Sequence, residues 1–401
     1  MFTPLVGDFG PAHDEICSRA IALAPRWASR AHTADRHSRL PDVAIQELFD
    51  AELLQILAPR RYGGLELGWP TLAEAGRVAS RACASTGWMI TLVGGHMATV
   101  GRLSLACQDW IFANGPRQLV ATGAPAGTGQ IRRANGGVVL NGTWRFASGI
   151  DHASWIVVPG ALSTEDGSGA RPVVYKMLVP SNGVEVIRNW DMPGMRATGS
   201  EDVSFVEMFV PDANVVSKDT CFGAHPAGAS VNPNGYMFDV PLLSYSTSWI
   251  VGPLLGCAEG AIAHYVGSLR QRCGSAGEPS TIERQRLAES LAELSCAQQL
   301  YKGLAAKLHS AGLARVPISS VEHATIRRDR AYLAQLCLNA VERIIRQMGA
   351  STASNTNPTQ RQWRDLQVMA SHIDISRDAA FLNYSAQLLQ SGEAPVRSRE
   401  L

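Results

Sequence analysis

One block of short β-rich runs, residues 116–216, is enclosed on both sides by helical sequence, and this order limits the fold more than any other feature of the chain. The runs LVATGAPAG, GGVVLNGTWRFASG, SWIVVPGAL, PVVYKMLVP, VEVIRNW and DVSFVEMFVP are rich in β-branched and aromatic residues and broken by Gly, Pro and Asn. Before them, residues 1–115 read as helical. Pro41 opens a segment in which Ile45, Leu48, Phe49 and Leu53 follow helical spacing, PRRYGG (59–64) breaks it, and TLAEAGRVASRACASTGWMITLV predicts a further helix. Residues 217–240 read as a loop, and 241–401 return to long helices. Helices, then strands, then helices, with no βαβ alternation, predict an α+β protein with an N-terminal helical domain, a central β domain and a C-terminal helical domain.

The 401 residues are 46% apolar, enough for large shared cores, and the formal net charge of +1 gives no electrostatic reason to expect a nucleic acid or a membrane surface as partner. Eight scattered cysteines, none in a CxxC pair, read as reduced thiols of a cytoplasmic protein. The N-terminal MFTPLVGDFGPAHDE lacks the basic start and apolar run of a signal peptide, and WMITLVGGHMATVG (88–101) is too short and Gly-rich to span a bilayer. GxGxxG, P-loop, HExxH and GxSxG motifs are missing, and the ten histidines show no tight metal-ligand spacing, so no metal site is expected. His323 beside Glu322 reads as a helix-surface pair.

The chemistry concentrates in WRFASGIDHASW (144–155), where Ser, Asp and His sit among aromatics at a strand end. Together with ATGAPAG (121–127), DMPGMRATGSEDVSFVEMFVP (191–211) and LRQRCG (269–274), this stretch resembles the acyl-CoA dehydrogenase superfamily over nearly the whole chain. The resemblance implies a central β-barrel-like domain, a C-terminal helical bundle, a flavin between them, and a homotetramer formed through the bundle. Dehydrogenases of the superfamily carry a Gln-x-x-Gly-Gly element and then a catalytic Glu. Here Gln347 and Gly349 remain, but Ala370, Ser371 and His372 stand at the place of the Glu. With Pro358, Trp363, Arg364 and Asp365, this pattern resembles the flavin-dependent two-component monooxygenase branch. The resemblance then implies reduced flavin (FMN or FAD) delivered by an NAD(P)H-dependent reductase, and molecular oxygen as co-substrate. Acyl-CoA dehydrogenase or oxidase chemistry and oxygenation at nitrogen or sulfur are the alternatives.

Reduced flavin and oxygen give a C4a-hydroperoxide, which must be kept dry, held at N5–H and supplied with a proton. Ser148 is the expected N5 partner, because a hydroxyl can accept from N5–H. His372 is the expected proton donor, because imidazole titrates near working pH. Trp144, Phe146 and Trp155 are expected to wall the ring, with Thr122 against it. Gly349, Ser351 and Thr352 offer phosphate donors, and the resemblance places that stretch at a neighbouring subunit's flavin. Arg270 matches the Arg of a degenerate R-x-x-F-G element whose Phe is Cys273 here.

His96 is expected to line the substrate pocket and to take part in catalysis, with Trp88, Phe238 and Trp249 as apolar pocket walls, which favours a small aromatic substrate. Asp151 and His152 are expected only to fix the loop after Ser148. The Gly-, Pro- and Asn-rich stretch 221–241 reads either as a lid over this pocket or as a surface excursion.

Overall fold

The computed structural model describes residues 4–5, 9–125, 129–162, 172–275 and 278–391. The N-terminal part is helical: α1 (Pro11–His37), α2 (Asp42–Asp50), α3 (Trp69–Ala82), α4 (Ala84–Trp88), α5 (His96–Val100) and α6 (Leu105–Ile111). The helix expected through 71–93 is interrupted. Cys83 is extended (φ −152°, ψ 110°), so α4 leaves α3 at an angle, and α4 runs directly into a π-helical turn at Met89–Val93. Such turns are uncommon and frequently mark functional sites.

Among the described residues nine strands follow: β1 (Val120–Thr122), β2 (Ala124–Pro125), β3 (Gln130–Ala134), β4 (Gly137–Ala147), β5 (Trp155–Leu162), β6 (Val173–Pro180), β7 (Glu185–Ile187), β8 (Glu201–Pro211) and β9 (Val215–Ser217). They form two sheets, ordered β1-β5-β6-β9 and β2-β4-β8-β7, with β3 also paired to β4. Among the described residues neither sheet closes on itself, so the barrel-like expectation becomes two sheets sharing one core. Ile156, Val158, Met177 and Val179 of the first meet Val138, Leu140, Trp144, Val203 and Phe205 of the second. β3 and β9 were not anticipated. β3 carries Arg132 and Arg133, which pair at the surface with Glu207 and Asp212 and weaken its strand signal.

The expected loop at 217–240 is ordered into α7 (Lys218–Phe222), α8 (Ala227–Val231) and a 3-10 turn at Tyr236–Phe238. Arg102, 1% exposed, pins it: Nε donates to Cys221 O (2.6 Å), Nη1 to Met237 O (3.0 Å) and Val240 O (2.8 Å), and Nη2 to Gly223 O.

The C-terminal part comprises α9 (Leu243–Ser246), α10 (Val251–Ser275), α11 (Thr281–Ala314), α12 (Ser320–Ile345), α13 (Pro358–Ala370) and α14 (Arg377–Ser391). Capping boxes, Ser280 with Glu283 and Ser319 with Glu322, fix the starts of α11 and α12. Leu243–Cys273, and not 88–101, is long and apolar enough to cross a membrane, but 78% of its most apolar window is buried inside the protein. Its α10 portion is the central core helix, packed against α3, α12 and α13. Arg77 of α3 lies buried between Glu74 (3.2 Å) and Glu259 of α10 (2.5 Å), and Tyr301 of α11 donates to Glu74 (3.0 Å), so one charged group ties three helices together.

Candidate functional site

The strand ends, the Trp88 end of α4, the turn at 190–200 and the end of α13 enclose a cavity of ≈ 680 Å³. Its position follows from how β4 stops. Between Trp144 and Ala147 the register with β8 shifts, Phe146 takes φ +63°, and its N–H is held by Asp202 Oδ1 (3.3 Å). This bulge re-aims the strand end. Phe146 turns out at 49% exposure to line the cavity, while Trp144 turns inward. Trp144 is therefore a correction to the sequence reading. It is fully buried between the sheets, its Nε1 donates to Pro159 O (2.8 Å), and its ring packs on Phe205.

Ser148 follows the bulge, and Gly149 (φ +71°) turns the chain away beneath Met89, where a Cβ would come within 2.7 Å of the Met89 methyl. The Ser148 hydroxyl accepts from Trp88 Nε1 (3.2 Å) and lies 2.7 Å from Ser200 Oγ, which is 2.7 Å from Thr198 Oγ1. All four side chains line the cavity.

His372 stands across from them, just beyond α13, its ring edge 5.8 Å between centroids from Trp88. Its Nδ1 accepts the backbone N–H of Asp374 (3.2 Å), capping the short turn that follows. With Nδ1 an acceptor, the neutral ring carries its proton on Nε2 and is a donor there. Burial holds His372 below the ordinary histidine range, Asp374 opposes this, and Arg330 reinforces it.

His96 does not line the cavity. Its Nδ1 donates to Val120 O (2.7 Å), so Nε2 accepts from Thr122 Oγ1 (3.2 Å), and it is Thr122 that faces the cavity. Burial pushes His96 down to about 4. Phe238 (1% exposed) packs on Gly101 and Gly235, and Trp249 (3%) packs on Gly95 and edge-on to His96, so both are core residues and not pocket walls. Trp155 leaves the cavity too, donating to Gln118 Oε1 and packing on Trp110. Of the four expected substrate residues only Trp88 lines it.

Arg270 is exposed on α10, and Gly349 is exposed with open space around it; neither lines the cavity. Ser351 and Thr352 sit in the 3-10 turn Ala350–Ala353, and their side chains, like Ala126 and Gly127 of ATGAPAG, fall outside the described residues. Asp151 and His152 hold the loop after Ser148: Asp151 pairs with Arg188 (2.6 Å), and His152 Nε2 donates to Leu40 O (3.1 Å). His323 is not a mere surface partner of Glu322, because its ring bonds Ser244 Oγ (2.7 Å).

The turn at 190–200 supplies site residues that no sequence-based expectation above names. Trp190, Met192, Met195, Thr198 and Ser200 all line the cavity. Asp365 of α13 anchors this turn by accepting Met195 N–H (2.6 Å), and burial pushes its carboxyl up to about 6. Gly194 lies against the α13 backbone, where a Cβ would sit 2.2 Å from Arg364 O. The missed signal was the run Met-Arg-x-Thr-Gly-Ser itself, two hydroxyls flanking a Gly.

Residues 13–104 match the profile described as acyl-CoA dehydrogenase, N-terminal domain, and residues 248–377 match acyl-CoA dehydrogenase, C-terminal domain. A pigment production hydroxylase of Rhodococcus sp. (strain ATCC 21145) is 31% identical over 91% of this chain and 94% of its own. The oxygenase component of p-hydroxyphenylacetate 3-hydroxylase from Acinetobacter baumannii is 27% identical over 87% of this chain and 83% of its own. Among solved structures, XiaF from Streptomyces sp., in complex with FADH2 and glycerol, superposes with a TM-score of 0.86 at 25% identity, covering 94% of this chain and 96% of that one.

Proposed function

Because the chain belongs to the acyl-CoA dehydrogenase family, we propose that it is the oxygenase component of a two-component flavin-dependent monooxygenase, hydroxylating a small aromatic compound with reduced flavin and dioxygen. The observation that carries this reading is the polarity of the cavity. Among the described residues that line it there is no carboxylate, and a histidine donor faces a serine hydroxyl instead. A dehydrogenase of this family needs a carboxylate to take the proton α to the thioester, and this cavity offers none.

The residues present fit a reduced isoalloxazine ring. Ser148 and Thr122 have each committed their hydroxyl hydrogen elsewhere or can do so, and Phe146, Met192 and Met195 supply apolar contact. When bound, the reduced ring supplies the electrons that activate dioxygen. Ser148 would accept the N5–H, and His372 Nε2–H would deliver a proton to the reacting oxygen and recover it before the next turnover. Trp88 and Leu92 would help to exclude water from that exchange. Thr122, its proton shared with His96, presents an acceptor lone pair suited to a phenolic O–H of the substrate. His96 thus acts through Thr122, and its low basicity makes it an acceptor and not a general base.

No cationic side chain lines the cavity among the described residues, so the phosphate end of FMN or FAD extends beyond it. Arg270, Gly349, Ser351 and Thr352 would serve the flavin of a neighbouring subunit in a homotetramer, and a separate NAD(P)H-dependent reductase would supply the reduced flavin. All eight cysteines are unpaired, which supports work in the reducing cytoplasm.

The test is anaerobic. The protein is mixed with reduced FMN, and separately reduced FAD, and then with oxygen in a stopped-flow absorbance instrument. A transient near-ultraviolet band before the oxidised-flavin peaks supports the reading. Immediate oxidised flavin, together with reduction of bound FAD by an acyl-CoA, refutes it in favour of a dehydrogenase.

A further inference from the structure

Resting on the flavin reading above, we propose that Ser200 and Thr198 set the oxidation state of the flavin this cavity selects, by fixing the direction in which the Ser148 hydroxyl points its hydrogen. Thr198 Oγ1 lies 2.7 Å from Met195 O. A carbonyl oxygen only accepts, so at that distance Thr198 donates; the opposite orientation would press two lone pairs together. Its single hydrogen is then committed, and the 2.7 Å contact with Ser200 exists only if Ser200 donates to Thr198. Ser200 in turn has no hydrogen left for Ser148, so across their 2.7 Å contact Ser148 donates to Ser200. At its other side Ser148 receives the Trp88 indole N–H.

The direction of the whole chain is thus set at one carbonyl, and Ser148 meets the cavity with one lone pair and no hydrogen. Reduced flavin carries a hydrogen on N5 and oxidised flavin carries a lone pair there. The first finds an acceptor at Ser148, and the second meets lone pair against lone pair. Ser148 (5% exposed), Ser200 (4%) and Thr198 (2%) are too buried for water to rescue the mismatch. Thr198 and Ser200 are positioning residues, acting on the flavin through Ser148. The device suits an enzyme that must take up reduced flavin and release it once oxidised.

Equilibrium binding of reduced FMN under anaerobic conditions and of oxidised FMN, by fluorescence or calorimetry, tests this without turnover. The wild type is expected to hold the reduced form more tightly. Ser200→Ala frees the Ser148 hydrogen to turn into the cavity, and the ratio of the two dissociation constants should fall about ten-fold, the worth of one net hydrogen bond. The midpoint potential of the bound flavin should then drop by about 30 mV, the two-electron equivalent of ten-fold. Thr198→Val, nearly isosteric, should do the same by freeing the Ser200 hydrogen, which covers a failure of Ser200→Ala to fold. Ser200→Thr, which keeps the hydroxyl, should restore the ratio. Flavin binding with an unchanged ratio in both variants overturns the directional chain and leaves the flavin reading intact. A wild type that binds neither form of FMN or FAD overturns that reading, and this proposal with it.

Discussion

Arg102 decides whether residues 218–240, none of which lines the cavity, stay fixed on the helical core. Its guanidinium, 1% exposed, donates to four main-chain carbonyls, three of them at 2.6–3.0 Å, and burial pushes its pKa down to about 10. Replacing it by Ala leaves four buried acceptors without donors, at about 1 kcal/mol or more each, and adds a cavity, so the expected loss is roughly 4–6 kcal/mol. That is comparable with the whole stability of many domains. Arg102→Lys is therefore the sharper test. An ammonium keeps the charge but has three donors at one point and cannot span a fork of four carbonyls, so roughly 2–3 kcal/mol should be lost. The loss should be local, because the carbonyls belong to Cys221, Gly223, Met237 and Val240. Hydrogen exchange read by mass spectrometry on peptides covering 218–242 should then speed up by about 30- to 150-fold, with little change in α10 or α12. Exchange in that segment that is already fast in the wild type, or unaltered by Arg102→Lys, would show that Arg102 does not pin it.

His372→Ala should leave reduced-flavin affinity nearly unchanged and cut hydroxylated product by about 10²- to 10⁴-fold, read as product per reduced flavin consumed. Equal product from the variant removes His372 from proton transfer. Because burial lowers its pKa, the acid limb of the activity profile that disappears in this variant should lie below pH 6.5. Stability should be full above pH 6.5 and decline as pH falls toward about 4, since the unfolded chain takes up a proton at His96 that the folded chain resists. His96 alone accounts for roughly 3 kcal/mol over that window, so His96→Asn should flatten the difference between urea midpoints at pH 7 and pH 5. Gly194→Ala drives a Cβ into the Arg364 carbonyl and should break the Asp365–Met195 contact, costing about 1–3 kcal/mol and loosening flavin binding, measured by thermal melts and by titration. Unchanged affinity would mean that the 190–200 turn does not shape the site.

What the chain spells out locally was legible without coordinates. The helix–strand–helix order rests on periodicity and breakers, which are properties of neighbouring residues, and the strand runs at 137–147, 155–162, 173–180 and 201–211 stand where alternation and β-branching put them. Ser148, Phe146, Thr122, Trp88 and His372, named from the sequence, meet around one cavity.

Tertiary structure decided whatever depended on direction in space. Trp144 and Phe146 sit two apart on one strand, so alternation points them the same way, and only the bulge held by Asp202 sends one into the core and the other into the cavity. Apolar residues such as Phe238 and Trp249 look the same in sequence whether they wall a pocket or fill a core, and glycines at 95 and 101 chose the core for them. The hydroxyl chain through Ser148, Ser200 and Thr198 joins residues 50 and more positions apart, and its direction is fixed by one carbonyl at Met195. Local pattern thus names the elements and the reactive groups, whereas which side chain turns toward which neighbour is settled only when the packed chain leaves each donor a single acceptor.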